Sequence, residues 1–142
     1  MTGQGKEFIE YAKSSLDESQ NSLFMAKGFE AIGNLIDLNF SKCIKLLDEL
    51  EANTRDNEIK AWVDQISNLC RAFVNFHNGD YQLSLKHAEV AIASPVKSGT
   101  LDPMDKGRLI RLVACIALIT SDIKQLDKCA QDILKVDNPD NL

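Results

Sequence analysis

The sequence predicts an all-α protein assembled from helical hairpins that recur along the chain. Three observations carry this. Apolar residues return at i, i+3/i+4 and i+7 through long segments, which places them on one side of a helix. No stretch alternates apolar and polar residues long enough to make a strand, and Pro95, Pro103 and Pro139 interrupt none of the periodic segments. A pattern of small and apolar residues also returns at intervals of 41 and 42, a period in the range of stacked-repeat architectures.

In chain order the spacing predicts helices over about residues 5–18, 20–38, 40–53, 55–78, 80–94, 103–120 and 122–136. The first presents Phe8, Ile9, Ala12 and Leu16 as a single stripe that can fold back onto the remainder. Thr54 is expected to cap the helix that contains Trp62. Asn78-Gly79-Asp80 supplies a helix stop, a residue that accepts positive φ, and an N-cap in succession. Asp102-Pro103 supplies an N-cap and a proline at the first helical position, after a loop running from Ser94 to Thr100. Tyr81, Leu83, Leu85, Ala88, Val90, Ala91 and Ile92 make the fifth helix apolar over a wide surface, as an internal element requires. The last helix carries one apolar stripe, Ile123, Leu126, Ala130 and Ile133. Its opposite face is polar, as suits the end of an array.

The period is read from seven positions that recur together. Ala31, Ala72 and Ala114 are equivalent, then Leu35, Phe76 and Leu118. The turns fall at Leu38, Gly79 and Ser121, followed by Phe40, Tyr81 and Ile123. Beyond them come Cys43, Ser84 and Leu126; Leu47, Ala88 and Ala130; and Leu50, Ala91 and Ile133. The physical reason is steric: two helices of a hairpin approach closely only where one side chain is small, and the residue after the turn fills the gap between them.

Ala72, Phe76, Gly79-Asp80-Tyr81, Ser84, Ala88 and Ala91-Ile92 resemble the small-residue and Gly-Asp-Tyr pattern of a tetratricopeptide repeat. Asp122-Ile123, Leu126, Ala130, Ile133-Leu134 and Pro139 resemble a weaker copy, and residues 21–53 a third. The period is longer than the usual 34. Ser84 stands where Ala is typical and Ala88 where an aromatic is. The resemblance, to a long-period variant of the family, implies a right-handed array of three antiparallel hairpins over about 20–53, 55–94 and 103–136, residues 1–19 adding an N-terminal helix to the array at 20–142. It also implies a concave groove lined by the first helix of each hairpin. Carried over position by position, the groove residues are Gly28 and Ile32, then Leu69, Phe73 and Phe76, then Arg108, Arg111 and Cys115. These positions are mostly apolar and lack the Lys and Asn that some family members use to clamp a terminal carboxylate.

Composition narrows the function classes. With 16 Lys+Arg against 21 Asp+Glu the net charge is −5, which disfavours nucleic acid as a partner. The longest apolar-rich stretch, 109–119, contains Arg111 and is far shorter than the roughly 20 residues needed to span a bilayer, so no membrane insertion is expected. The absence of a secretory leader leads to the expectation of a cytoplasmic protein. Cys43, Cys70, Cys115 and Cys129 match no metal-ligand spacing, and each sits in or beside an apolar stripe, so buried thiols are expected.

Nothing in the chain reads as a catalytic or metal motif, and no cofactor is expected. His77 lies seven residues after Cys70 on one helix, roughly 10 Å along the axis and beyond hydrogen-bond reach. Asp48, Glu49 and Glu51 fall on a polar helix face. The expectation is a non-enzymatic adaptor or scaffold that binds a peptide or helix of another protein. Its contacts would be Ile32, Leu69, Phe73, Phe76, Arg108, Arg111 and Cys115. The alternatives are a structural subunit of a larger complex, a homodimer, or a regulator that senses a peptide or small ligand in a closed pocket. Ten of the eleven residues from Leu109 to Ile119 are apolar, so that helix needs cover on most sides. The N-terminal helix, a second copy or a bound partner segment can supply it.

Overall fold

The computed structural model describes residues 3–14, 20–93 and 103–136. Among these, seven helices and no strand are present: α1 (Gln4–Ser14), α2 (Gln20–Ile36), α3 (Phe40–Asn53), α4 (Asn57–His77), α5 (Tyr81–Ala93), α6 (Pro103–Thr120) and α7 (Ile123–Val136). The expected capping residue Asp102 and the loop 94–100 lie outside the described residues, as does Leu16. The chain forms two compact units, Met1–Cys70 and Arg71–Leu142, the division falling within α4.

The three tight turns share one geometry. Leu38, Gly79 and Ser121 all take positive φ, at 61°, 79° and 58°. At each turn the next residue donates its N–H to a carbonyl five residues back, Asn39 to Asn34 at 2.8 Å, Asp80 to Asn75 at 2.9 Å and Asp122 to Ala117 at 2.8 Å. The left-handed residue itself donates three residues back, Leu38 to Leu35, Gly79 to Phe76 and Ser121 to Leu118. This paired pattern, the Schellman motif, satisfies helix-end carbonyls with backbone alone. Asp80 and Asp122 then start the following helices by accepting the N–H groups of Leu83 and Gln125 at 3.2 and 3.1 Å. Asn39, at the third such position, makes no side-chain capping bond.

Thr54 does not start α4. It closes α3, donating both its N–H and its hydroxyl to the Leu50 carbonyl, while the Asp56 carbonyl accepts the first bond of α4 from Lys60. A threonine hydroxyl satisfies a helix end as readily as a helix start, and the sequence alone did not distinguish the two.

In the first unit α2 packs on α3, and Ala31, Cys43, Leu46, Leu47 and Cys70 form a buried cluster flanked by Ile32, Leu35, Ile44 and Ile66. Helix α1 lies on α2. Its Phe8 ring meets Phe29 edge-on at 6.0 Å, and Phe29 meets Trp62 of α4 at 5.8 Å, so one aromatic line joins three helices. Lys13 pairs with Glu30, and the Asp37 carboxylate accepts the Gly5 N–H at 3.0 Å, capping the start of α1 from the end of α2. Ser67 donates to Glu51, and Lys27 pairs with Glu49 at 3.2 Å, which accounts for two of the acidic residues on the polar face of α3.

In the second unit α5 and α7 each pack on α6. Ala72, Ser84, Ala88 and Ala91 are fully or almost fully buried, and the Ser84 hydroxyl donates to the Ala72 carbonyl at 2.6 Å. A side chain this small lets α4 and α5 come close enough for that bond. Leu109, Ile110, Leu112, Val113, Ile116 and Ala117 bury the inner faces of α6.

Helix α7 departs from expectation. The residue it buries is Cys129, 3 % exposed, whereas Ala130 and Ile123 are exposed and Leu126 and Ile133 are half-buried. Aligned on its turn, the third hairpin repeats at 42; aligned on the buried residue of the second helix, Leu47, Ala88 and Cys129 repeat at 41. The one-residue difference rotates α7 by about 100° relative to its expected register. The stripe assigned to the interior therefore points largely to solvent.

Candidate interaction surface

The expected site residues separate by environment. Leu69 is 6 % exposed and Ile32 packs against the core cluster of the first unit, so these two stabilise the interior rather than line an open surface. Gly28 is buried beneath the Trp62 indole, so close that a Cβ would overlap the ring. In the second unit Phe73 and Phe76 are half-buried on α4. The Phe76 ring stands 5.9 Å from Tyr81 and 5.7 Å from the exposed His77, whose Nδ1 lies 2.9 Å from the Phe73 carbonyl.

Arg108, Arg111 and Cys115 are all exposed and occupy one face of α6 at i, i+3 and i+7. Leu118, 66 % exposed, continues the same face by a further turn, and Ile119 borders it. Arg108 pairs with Asp105 at 3.0 Å, which fixes its guanidinium along the helix. Arg111 has no ion-pair partner among the described residues. The face is thus cationic toward the start of α6 and apolar toward its end. A guanidinium with unused donors beside an apolar strip can hold a carboxylate in a bidentate pair while the strip buries aliphatic surface.

The cysteines correct one expectation. Cys43, Cys70 and Cys129 are buried thiols, but Cys115 is exposed. It is set among the apolar residues of α6, yet it falls on the solvent side of that helix. Among the described residues no group of three or more His, Cys, Asp or Glu could hold a metal ion, and no helix is long and apolar enough to cross a membrane.

A cleft of about 340 Å³ opens beside α7, lined by Ile92, Ile110, Val113 and Cys129 together with Glu89, Gln125, Lys128 and Asp132. Burial pushes the Cys129 thiol above its ordinary value of 9.0. The Gln125 amide, 3.8 Å from the sulfur, works against that rise, Asp132 adds to it and Lys128 opposes it.

Sequence reasoning missed the exposed apolar set Leu118, Ile119, Ile123 and Leu134. The available signal was Cys129, a second small residue beside Ala130 that can be buried in its place. No family model, curated protein or solved structure matches the chain.

Proposed function

We propose that this chain is a non-enzymatic interaction module, a tetratricopeptide-like array of hairpins that binds a peptide or helix of another protein along the exposed face of α6. The observation that carries the reading is the row Arg108, Arg111, Cys115 and Leu118, in which a guanidinium without a described partner adjoins apolar surface. A segment that matches it presents an acidic residue beside aliphatic ones. The three turns, repeated at 41 and 42 residues with the same backbone bonds, support the stacked-hairpin arrangement.

The test is affinity capture with the tagged full chain beside Arg111→Glu and Phe73→Ala variants shown to be folded by circular dichroism. A partner recovered with the parent chain and lost with Arg111→Glu supports the reading. Equal recovery with folded Arg111→Glu overturns this surface. In that case the cleft beside Cys129 favours the second reading, a small-ligand sensor, which thermal-shift measurements on the parent chain and a Cys129→Phe variant address.

A further inference from the structure

Two carboxylates follow the last hairpin in sequence. Residues 137–142, which come after α7, read Asp137-Asn138-Pro139-Asp140-Asn141-Leu142, with two acids, an aliphatic residue and no cation. Asn138 precedes a proline, which favours extended backbone over a further turn of α7. Helix α6, by contrast, carries Lys106, Arg108 and Arg111 against the single acid Asp105, which is paired with Arg108. The hairpin brings these opposite charges to one end. The reversal at Ser121 returns α7 along α6, on which it packs. With 14 residues α7 spans about 20 Å, so it ends at about the level of Arg108, and Arg111 lies about 5 Å nearer the turn. Axes of packed helices stand about 8–10 Å apart. Extended backbone carries the Asp140 Cα up to about 14 Å beyond Val136, a span that long arginine side chains on α6 can meet. Asp137 directly follows the carbonyl end of α7, where the helix dipole disfavours a carboxylate and a nearby cation offsets it.

We propose that residues 137–142 fold back onto the exposed face of α6, the Asp140 carboxylate pairing with the Arg111 guanidinium, and so compete from within the chain with an incoming acidic segment. The inference rests on the docking face proposed above and adds its regulation. Charge complementarity and tether length select this occupant. Arg111 has no ion-pair partner among the described residues, and a guanidinium can hold a carboxylate through two parallel bonds. A tether this short keeps the tail at roughly millimolar local concentration, so even a pair of millimolar affinity is about half occupied. The contact is a weak internal mimic that a better-matched partner displaces.

Nitrogen-15 NMR of the full chain tests this, with the Arg111 Nε–H signal and the Arg111 and Cys115 amides as reporters. These signals should shift when the chain is cut after Val136, and Asp140→Asn in the otherwise intact chain should reproduce most of the shift. A synthetic peptide of residues 136–142, added to the cut chain at about millimolar concentration, should move them back, and its affinity for the cut chain should exceed that for the full chain at least about twofold. Reporters that are identical in full and cut chains overturn the proposal, as does a shift on cutting that Asp140→Asn fails to reproduce. Shifts that fade on dilution of the full chain would place the tail on a second copy and overturn it equally. Partner capture with Arg111→Glu judges the docking face separately. Capture lost with Arg111→Glu beside unresponsive reporters rejects the tail contact alone, whereas capture retained beside responsive reporters rejects the partner surface and leaves the tail contact standing.

Discussion

Leu38 and Ser121 hold the same left-handed backbone conformation, at φ 61° and 58°, although neither is glycine. Each ends a helix whose last carbonyls are satisfied by the two residues that follow, and Gly79 does the same at 79° without a side chain to strain. A side chain in this region costs roughly 1–2 kcal/mol, while a glycine adds freedom to the unfolded chain worth roughly 0.4–1 kcal/mol. Leu38 is 62 % exposed and has little packing to lose. Leu38→Gly and Ser121→Gly should therefore each stabilise the fold by about 0.5–1 kcal/mol, and Gly79→Ala should destabilise it by about 1 kcal/mol, as read from denaturant midpoints at constant slope.

The contact between Gly28 and the Trp62 indole gives a second expectation. A methyl at position 28 meets the ring of a partly buried tryptophan that is itself held edge-on to Phe29. Gly28→Ala gains helix propensity yet overpacks this contact, so a net loss of about 1–2 kcal/mol is expected. Trp62 is the single tryptophan, so its emission should shift to longer wavelength as the ring is displaced. An unshifted spectrum with unchanged stability would show that the ring has room to move.

How far the sequence disclosed this structure follows from which signals are local. The helices over 40–53 and 103–120 have the expected bounds, and all three turns fall where the 41- and 42-residue period places them, because stop and cap chemistry is encoded within a few residues. Burial on α7 was misread because it depends on how the helix is rotated against α6, and Ala130 and Cys129 satisfy the local pattern equally well. Thr54 was misassigned for a similar reason, its hydroxyl being competent at either end of a helix. On α6, Arg108, Arg111 and Cys115 share one exposed face, as their spacing requires. Ile32, Leu69 and Gly28 were expected to line a groove, but packing that periodicity does not report has turned them inward.

The four thiols should divide by accessibility. Cys115 is exposed, so a maleimide added to the native protein should modify it first, while Cys43, Cys70 and Cys129 react only as the fold opens. At neutral pH the raised Cys129 thiol is protonated and a poor nucleophile, which slows its reaction further. The sign of the linkage follows: the folded-state value lies above 9.0, so the stability Cys129 contributes is complete below 9.0 and is lost as pH rises through the folded-state value. Cys129→Ala should lack this alkaline loss, and mass spectrometry with urea melts on either side of that pH checks both statements.

Asp37 should govern how firmly α1 is held. Its carboxylate accepts the Gly5 N–H at the start of α1, where the helix dipole favours negative charge. Asp37→Ala should cost about 1 kcal/mol, most of it local. Amide hydrogen exchange should quicken along α1, from Gly5 to Ala12, well before the cluster around Leu47 responds. Uniform acceleration through both regions would show instead that α1 and the core open as one unit.

The three turns are fastened by main-chain atoms, so leucine and serine are tolerated beside glycine at the reversal point, at the modest strain of a left-handed side chain. A joint of that kind preserves shape while its lettering drifts, and it offers little to any comparison keyed to residue identity. The recurrence in this chain is legible as a distance between bends. Length changes of a residue or two within the hairpins should consequently disturb it more than substitutions at the bends themselves.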